Sequence, residues 1–224
     1  LMFCDLVVSL GLTWQLFVRD FRARYRQSVL GILWAILLPS ATITLFTMMN
    51  NSGLIIIPER EFPYPVYAMV GISLWSFLVS GISGGAASLT GAGSLVAKIN
   101  FPRISLVLAS LMQSLVDLVI RVFFTAFIFF VYGFTPDLFG LLVAAAAFVP
   151  LLLLVAGVGS LFAVFSVLFR DTSNAITIIL SILMLITPVL YPINSSSVLG
   201  RLNIWNPLNY LINVPRDFIL RGHS

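Results

Sequence analysis

Two ionisable residues stand where few belong. Asp117 and Arg121 lie four residues apart in an otherwise apolar run from Ile104 to Tyr132. On a helix they share one face and can pair. An ionisable residue at membrane depth is by default a functional candidate, because a bare charge there is expensive. The same spacing also serves a purely structural end, since such a pair neutralises itself. Other chemistry is thin. One histidine, His223, and one cysteine, Cys4, leave no His-based triad, no zinc site and no intrachain disulfide. No Gly-x-x-x-x-Gly-Lys-Ser/Thr phosphate loop occurs, so the usual ATP-binding device is missing. The acidic residues are scattered, and an intramembrane enzyme would have to rest on Asp117. No basic patch resembles a nucleic-acid surface.

The elements that carry these residues follow from composition. Of the 224 residues, 60% are hydrophobic and 9% charged, against roughly a quarter charged in soluble domains. So few charges cannot cover a water-exposed surface, whereas lipid favours one. The fold class expected is all-α, a polytopic membrane helical bundle. A spanning helix needs about 20 mostly apolar residues, and charges cut the chain into such lengths. Five spans are predicted, over about 29–49, 66–86, 104–132, 139–168 and 174–193, forming a transmembrane region over 29–193.

Basic residues orient the bundle. With the N-terminus inside, Arg19, Arg22, Arg24, Arg26, Lys98, Arg103 and Arg170 are cytoplasmic, and Arg60 sits outside beside Glu59 and Glu61. Arg201, Arg216 and Arg221 then fall outside, against the trend. Residues 1–28 differ from the spans. Leu10, Trp14, Phe17, Val18, Phe21 and Tyr25 recur at helical spacing, with Gln15, Arg19, Arg22 and Arg26 opposite. This predicts an amphipathic interfacial helix, its arginines facing phosphate headgroups or a protein partner.

Two further segments depart from plain spans. After the second span comes a predicted loop rich in small residues: Gly84, Gly85, Ala86, Ala87, Ser88, Gly91 and Gly93. It ends in Lys98-Ile99-Asn100-Phe101-Pro102-Arg103. Pro102 bars Phe101 from the helical region and suits the first turn of the next helix. Two cations beside a turn describe either a docking knob or an ordinary positive-inside loop. Arg170-Asp171 reads as a local pair in the fourth–fifth loop. In the fifth span Pro188 kinks or breaks the helix. Leu199–Trp205 and Leu208–Val214 are too short to span, so residues 194–224 read as two outer-face amphipathic or re-entrant helices.

Together these segments resemble the membrane subunits of ABC-2 type exporters, in particular those for bacterial polysaccharides such as O-antigen of lipopolysaccharide, capsule or teichoic acid. The resemblance rests on Trp14–Arg26 running into Gly31-Ile32-Leu33-Trp34 and Pro39; on Pro63-Tyr64-Pro65 with Gly71 and Trp75-Ser76-Phe77; and on Leu95 to Lys98 with Phe101-Pro102-Arg103. It rests further on Asp117, Arg170-Asp171, Pro188-Val189 with Tyr191-Pro192, and Asn206-Pro207-Leu208 followed by Arg216. It implies six spans per subunit, five of them here and a sixth beyond Ser224. It also implies a homodimer of such subunits and two copies of a separate ATPase that binds ATP and magnesium, with no cofactor and no enzymatic role in this chain. The location implied is the bacterial inner membrane.

By the same resemblance, Ser88–Arg103 is the coupling element, with Lys98, Phe101, Pro102 and Arg103. Arg19, Arg22 and Arg26 make a second ATPase contact, Arg170 and Asp171 join them at the cytoplasmic face, and Asn194–Arg221 forms outer gate helices. Gate or channel candidates are Pro188, Pro192, Asn206, Pro207 and Arg216, with Tyr64, Tyr67, Trp75, Tyr191 and Tyr210. These rings could stack on sugars of a lipid-linked glycan, or form the aromatic interfacial belt. The first outer loop, Asn50-Asn51-Ser52-Gly53, is more polar than the family pattern. Competing readings are a permease for a drug or lipid, an intramembrane enzyme, and a scaffold subunit.

Overall fold

In lipid, a spanning chain must satisfy its backbone groups internally, which leaves helices for runs of this composition. A computed structural model describes residues 2–26, 34–52, 62–92, 102–169, 171–190 and 198–222, and the regular structure within them is all helical. Eight helices occur among the described residues: α1 (Met2–Arg26), α2 (Trp34–Asn51), α3 (Tyr64–Gly91), α4 (Ile104–Val131), α5 (Leu138–Leu168), α6 (Thr172–Ile186), α7 (Val198–Ile204) and α8 (Pro207–Arg221). α3, α4 and α5 are long and apolar enough to cross a membrane, while α2 and α6 carry shorter apolar stretches. Most of the apolar stretch of α3 is buried, whereas α4 and α5 turn Phe123, Phe130, Leu142 and Leu153 outward. Large apolar side chains exposed in such numbers suit a lipid-facing surface.

Three expectations are corrected. The second span was predicted to give way to a loop from Gly84, but α3 stays helical to Gly91. Its small residues serve packing: a Cβ added at Gly85 would stand 2.9 Å from the Gly159 Cα of α5, the close approach that small residues permit between membrane helices. The fifth span was predicted to reach residue 193, but α6 stops at Ile186 after 15 residues, or about 22 Å of rise. Pro188 forces this stop, because it disfavours the helical region for Thr187 and supplies no N–H. The last apolar piece was bounded at Leu208–Val214, yet α8 runs on through Pro215 to Arg221. Ile212, Arg216 and Leu220 are buried at four-residue intervals, and that packed stripe outweighs the backbone donor lost at Pro215.

The chain divides into two compact units. The first comprises Leu1–Ile32, Phe77–Asp117 and Leu152–Leu180. Its core joins Leu16 and Phe17 of α1 to Ala92, Leu106 and Ala109, with Phe21, Leu89 and Met112 packed around them. α1 therefore rests much of its apolar face on its own chain, not on lipid as the amphipathic pattern suggested; Leu10 and Trp14 stay exposed. The second unit comprises Leu33–Ser76, Leu118–Leu151 and Ser181–Ser224. Its core gathers Val66, Tyr67, Val70, Phe129 and Leu220. Edge-to-face rings Phe62–Phe134 and Phe129–Phe134 extend it. Asp137 caps α5, its carboxylate accepting from the Gly140 N–H at 3.1 Å. In α2 the hydroxyls of Ser40, Thr42, Thr44 and Thr47 donate to carbonyls four residues back, which satisfies them without water.

Candidate functional site

The break after α6 creates a local problem of backbone chemistry. Carbonyls leaving a helix at membrane depth need partners, and water is scarce there. Each carbonyl from Ile186 to Val189 has one. The Asn203 amide donates to the Ile186 oxygen at 2.7 Å. The Val189 N–H donates to the Thr187 oxygen at 2.7 Å. The Arg216 guanidinium donates to the oxygens of Pro188 at 3.0 Å and Val189 at 3.3 Å. Arg216 is buried and lies over the Tyr67 ring, 3.9 Å from its centroid, a cation–π contact strengthened by desolvation. Asp217 stands 3.5 Å from its Nε. Gly71 backs onto the Val189 carbonyl, where a Cβ would collide.

Asn206 holds this arrangement from the other side. It is the N-cap of α8, its side-chain oxygen accepting from the Leu208 N–H at 3.0 Å, with Pro207 at the first helical position. Its amide donates to Thr187 Oγ1 at 3.0 Å. Pro188, Asn206 and Arg216, singled out by sequence, thus meet at one place, and Pro207 starts the helix that brings them there. Asn203 was missed; its only sequence signal is that it is polar within an apolar piece. Among the rings predicted to stack on cargo, Tyr67 is committed to Arg216 and Trp75 is buried within the chain. Tyr64 is half-buried, and Tyr210 is 51% exposed. Trp205, which the sequence reading passed over, is 89% exposed. Tyr191 and Pro192 lie outside the described residues.

In the other unit, the predicted cytoplasmic residues that are described lie on α1, at the lead into α4 and just ahead of α6. On α1, Arg19 and Arg22 are exposed, opposite the packed face, and Arg19 pairs with the neighbouring Asp20 at 2.7 Å. Exposed Pro102 and Arg103 lead into α4. Arg103 stands on the rim of an apolar groove of about 530 Å³ that includes Leu89, Val107, Leu161 and Val164. Asp171 is exposed ahead of α6. Lys98, Phe101, Arg170 and the Arg26 side chain lie outside the described residues, as do Glu59, Arg60 and Glu61.

Asp117 is buried, and one of its partners comes from an element the sequence did not suggest. Arg24 of α1 donates to its carboxylate at 2.9 Å, across 93 residues of chain. Arg121, the partner expected from spacing, lies one turn further along α4. No group of three or more His, Cys, Asp or Glu suited to a metal occurs among the described residues.

This helical arrangement carries a family signature along most of its length. Residues 11–220 match the family of the ABC-2 type transporter. The chain belongs to that family. As an ABC-2 transporter component it is a multi-pass, all-helical membrane protein. It is similar to the O-antigen export system permease protein RfbA of Myxococcus xanthus, 24% identical over 209 residues that cover 93% of this chain and 78% of that one. The RfbA permease of Klebsiella pneumoniae is 25% identical over 209 residues, covering 91% and 78%. The polysialic acid transport protein KpsM of Escherichia coli is 25% identical over 215 residues, covering 93% and 81%.

Proposed function

We propose that the chain is the membrane permease subunit of an ATP-driven exporter that moves a lipid-linked polysaccharide across the bacterial inner membrane. The observation that carries this reading is the similarity, over more than nine-tenths of the chain, to permeases named for O-antigen and polysialic acid export. A polymer longer than the bilayer is thick must be threaded, so a second copy of the chain completes a continuous path. Energy comes from two copies of a separate ATPase, which bind ATP and magnesium and hydrolyse the nucleotide. The N-terminus is cytoplasmic. Arg19, Arg22 and Arg26 on α1, Lys98 to Arg103, and Arg170-Asp171 contact the ATPase, and closure of the ATPase pair moves the helices they join.

The exposed rings Trp205 and Tyr210 suit sugar stacking on the exit side, since ring faces accept different sugars without one fixed hydrogen-bond pattern. The broken end of α6, closed by α7 and α8, suits a gate. The test is genetic. Deleting the gene should trap completed glycan inside the cell and strip it from the surface, and the intact gene should restore display. A deletion strain with normal surface glycan that instead retains a drug or a lipid would assign the chain to another cargo.

A further inference from the structure

We infer that Arg24 and Asp117 are a positioning pair for the transport step, the joint through which movement of α1 reaches α4. The inference rests on the export reading above. Its observation is the asymmetry of the ion pair. The Asp117 side chain is 4% exposed and the Arg24 side chain 53%. A carboxylate at this depth needs a cation, because desolvation penalises a lone charge far more than an exposed one. Arg24 on α1 supplies that cation at 2.9 Å. Moving α1 without moving α4 would break this contact and weaken the compensation of the carboxylate.

The rest of the α1 packing differs in kind. Leu16 and Phe17 meet Ala92, Leu106 and Ala109 through apolar contact, which is non-directional and tolerates sliding. The ion pair fixes both distance and direction. Arg24 also falls on a different face from its neighbours. It lies about 200° round the helix from Arg22, on the side of buried Thr13 and Phe17. Arg19 and Arg22 face away from the packed side, while Arg24, also exposed, reaches Asp117 with its guanidinium. α4 is thereby reached twice from the proposed ATPase face: through this pair, and through Pro102-Arg103 at its first turn. Two inputs converging on one helix are what a lever needs.

The test uses the full-length subunit with its ATPase in proteoliposomes, loaded with lipid-linked glycan. Four quantities are read: assembled complex, basal ATP hydrolysis, glycan-stimulated hydrolysis, and glycan exported per ATP. Arg24→Gln and Asp117→Asn should leave basal hydrolysis intact and lower export per ATP roughly 5–150-fold, the range of an ordinary coupling free energy. Arg24→Lys, which keeps the charge, should retain most of the ratio. The double variant Arg24→Gln/Asp117→Asn decides between coupling and support. With Arg121→Gln added, because the Arg121 guanidinium is buried at Nε and Nη1 one turn along α4, all three charges are removed together; a joint predicts that export per ATP stays low, and a merely structural pair predicts recovery. Recovery there, or unchanged ratios in both single variants, would overturn the inference. Failure of the unaltered complex to respond to glycan would strike the export reading instead.

Discussion

Replacing Arg216 with Met tests the account of the broken helix. Methionine fills similar space and offers no donor, so the Pro188 and Val189 carbonyls lose their partner at 3.0 and 3.3 Å. An unsatisfied buried carbonyl costs about 1–3 kcal/mol, and the contact over Tyr67 contributes about 0.5–2 kcal/mol. Against this, removing the guanidinium relieves several kcal/mol of ion desolvation in the native state. Two such carbonyls and the ring contact together cost about 2.5–8 kcal/mol, and with the relief subtracted the net expectation is a destabilisation of about 3 kcal/mol. For a chain of this size that lowers Tm by roughly 6–12 °C, measurable by intrinsic fluorescence in detergent. Amide exchange at Thr187, Val189 and Leu190 should rise in the same variant, while exchange over Ile82–Gly91 of α3 stays unchanged. Arg216→Lys, with one point charge in place of a planar fork, should lie between the two. A Met variant that melts within about 2 °C of the parent, with unaltered exchange at the break, would refute the claim that Arg216 closes this end.

Other predictions follow from single contacts. Gly85→Leu should separate α3 from α5 at Gly159 and lower the folded yield sharply, as read by size-exclusion profile, whereas exposed Gly91→Leu should not. Asn206→Ala removes the α8 cap and the bond to Thr187, and should cost about 1–2 kcal/mol in thermal unfolding. Arg103→Glu should leave insertion and melting intact but lower export, since Arg103 is exposed; normal export by that variant would remove its coupling role. Tyr210→Ala should reduce export with little change in Tm, while Tyr67→Leu should do the reverse and destabilise the fold.

The sequence made some features legible and hid others for identifiable reasons. Pro102 before an uncharged run placed the start of α4 at Ile104, because proline suits a first turn. Pro188 announced the break in α6, and Asn206-Pro207 announced the start of α8. The extension of α3 to Gly91 was hidden because glycine lowers helix propensity, and only the approach of Gly159 makes it useful. Pro215 misled in the same way, since a buried stripe on α8 outweighed the local rule. At the site, charge spacing within α4 suggested Arg121 for Asp117. A partner from another element, Arg24, sits 93 residues away and is set by tertiary packing of α1, which no local spacing reveals. Helical phase alone would have separated Arg24 from Arg19 and Arg22. The burial of Tyr67 and Trp75 was likewise unreadable, because aromatic residues serve the core, the interface belt and a sugar path with equal ease.

The central claim is export coupled to a separate ATPase. Its most direct measurement is ATP hydrolysis by the full-length subunit, co-purified with the proposed partner ATPase and reconstituted in liposomes, with and without lipid-linked glycan. The account predicts a stable complex whose hydrolysis rises with glycan and loses that response in Arg103→Glu. A subunit that forms no complex with the ATPase, or a complex that ignores glycan and responds to a drug or a simple lipid, would contradict it.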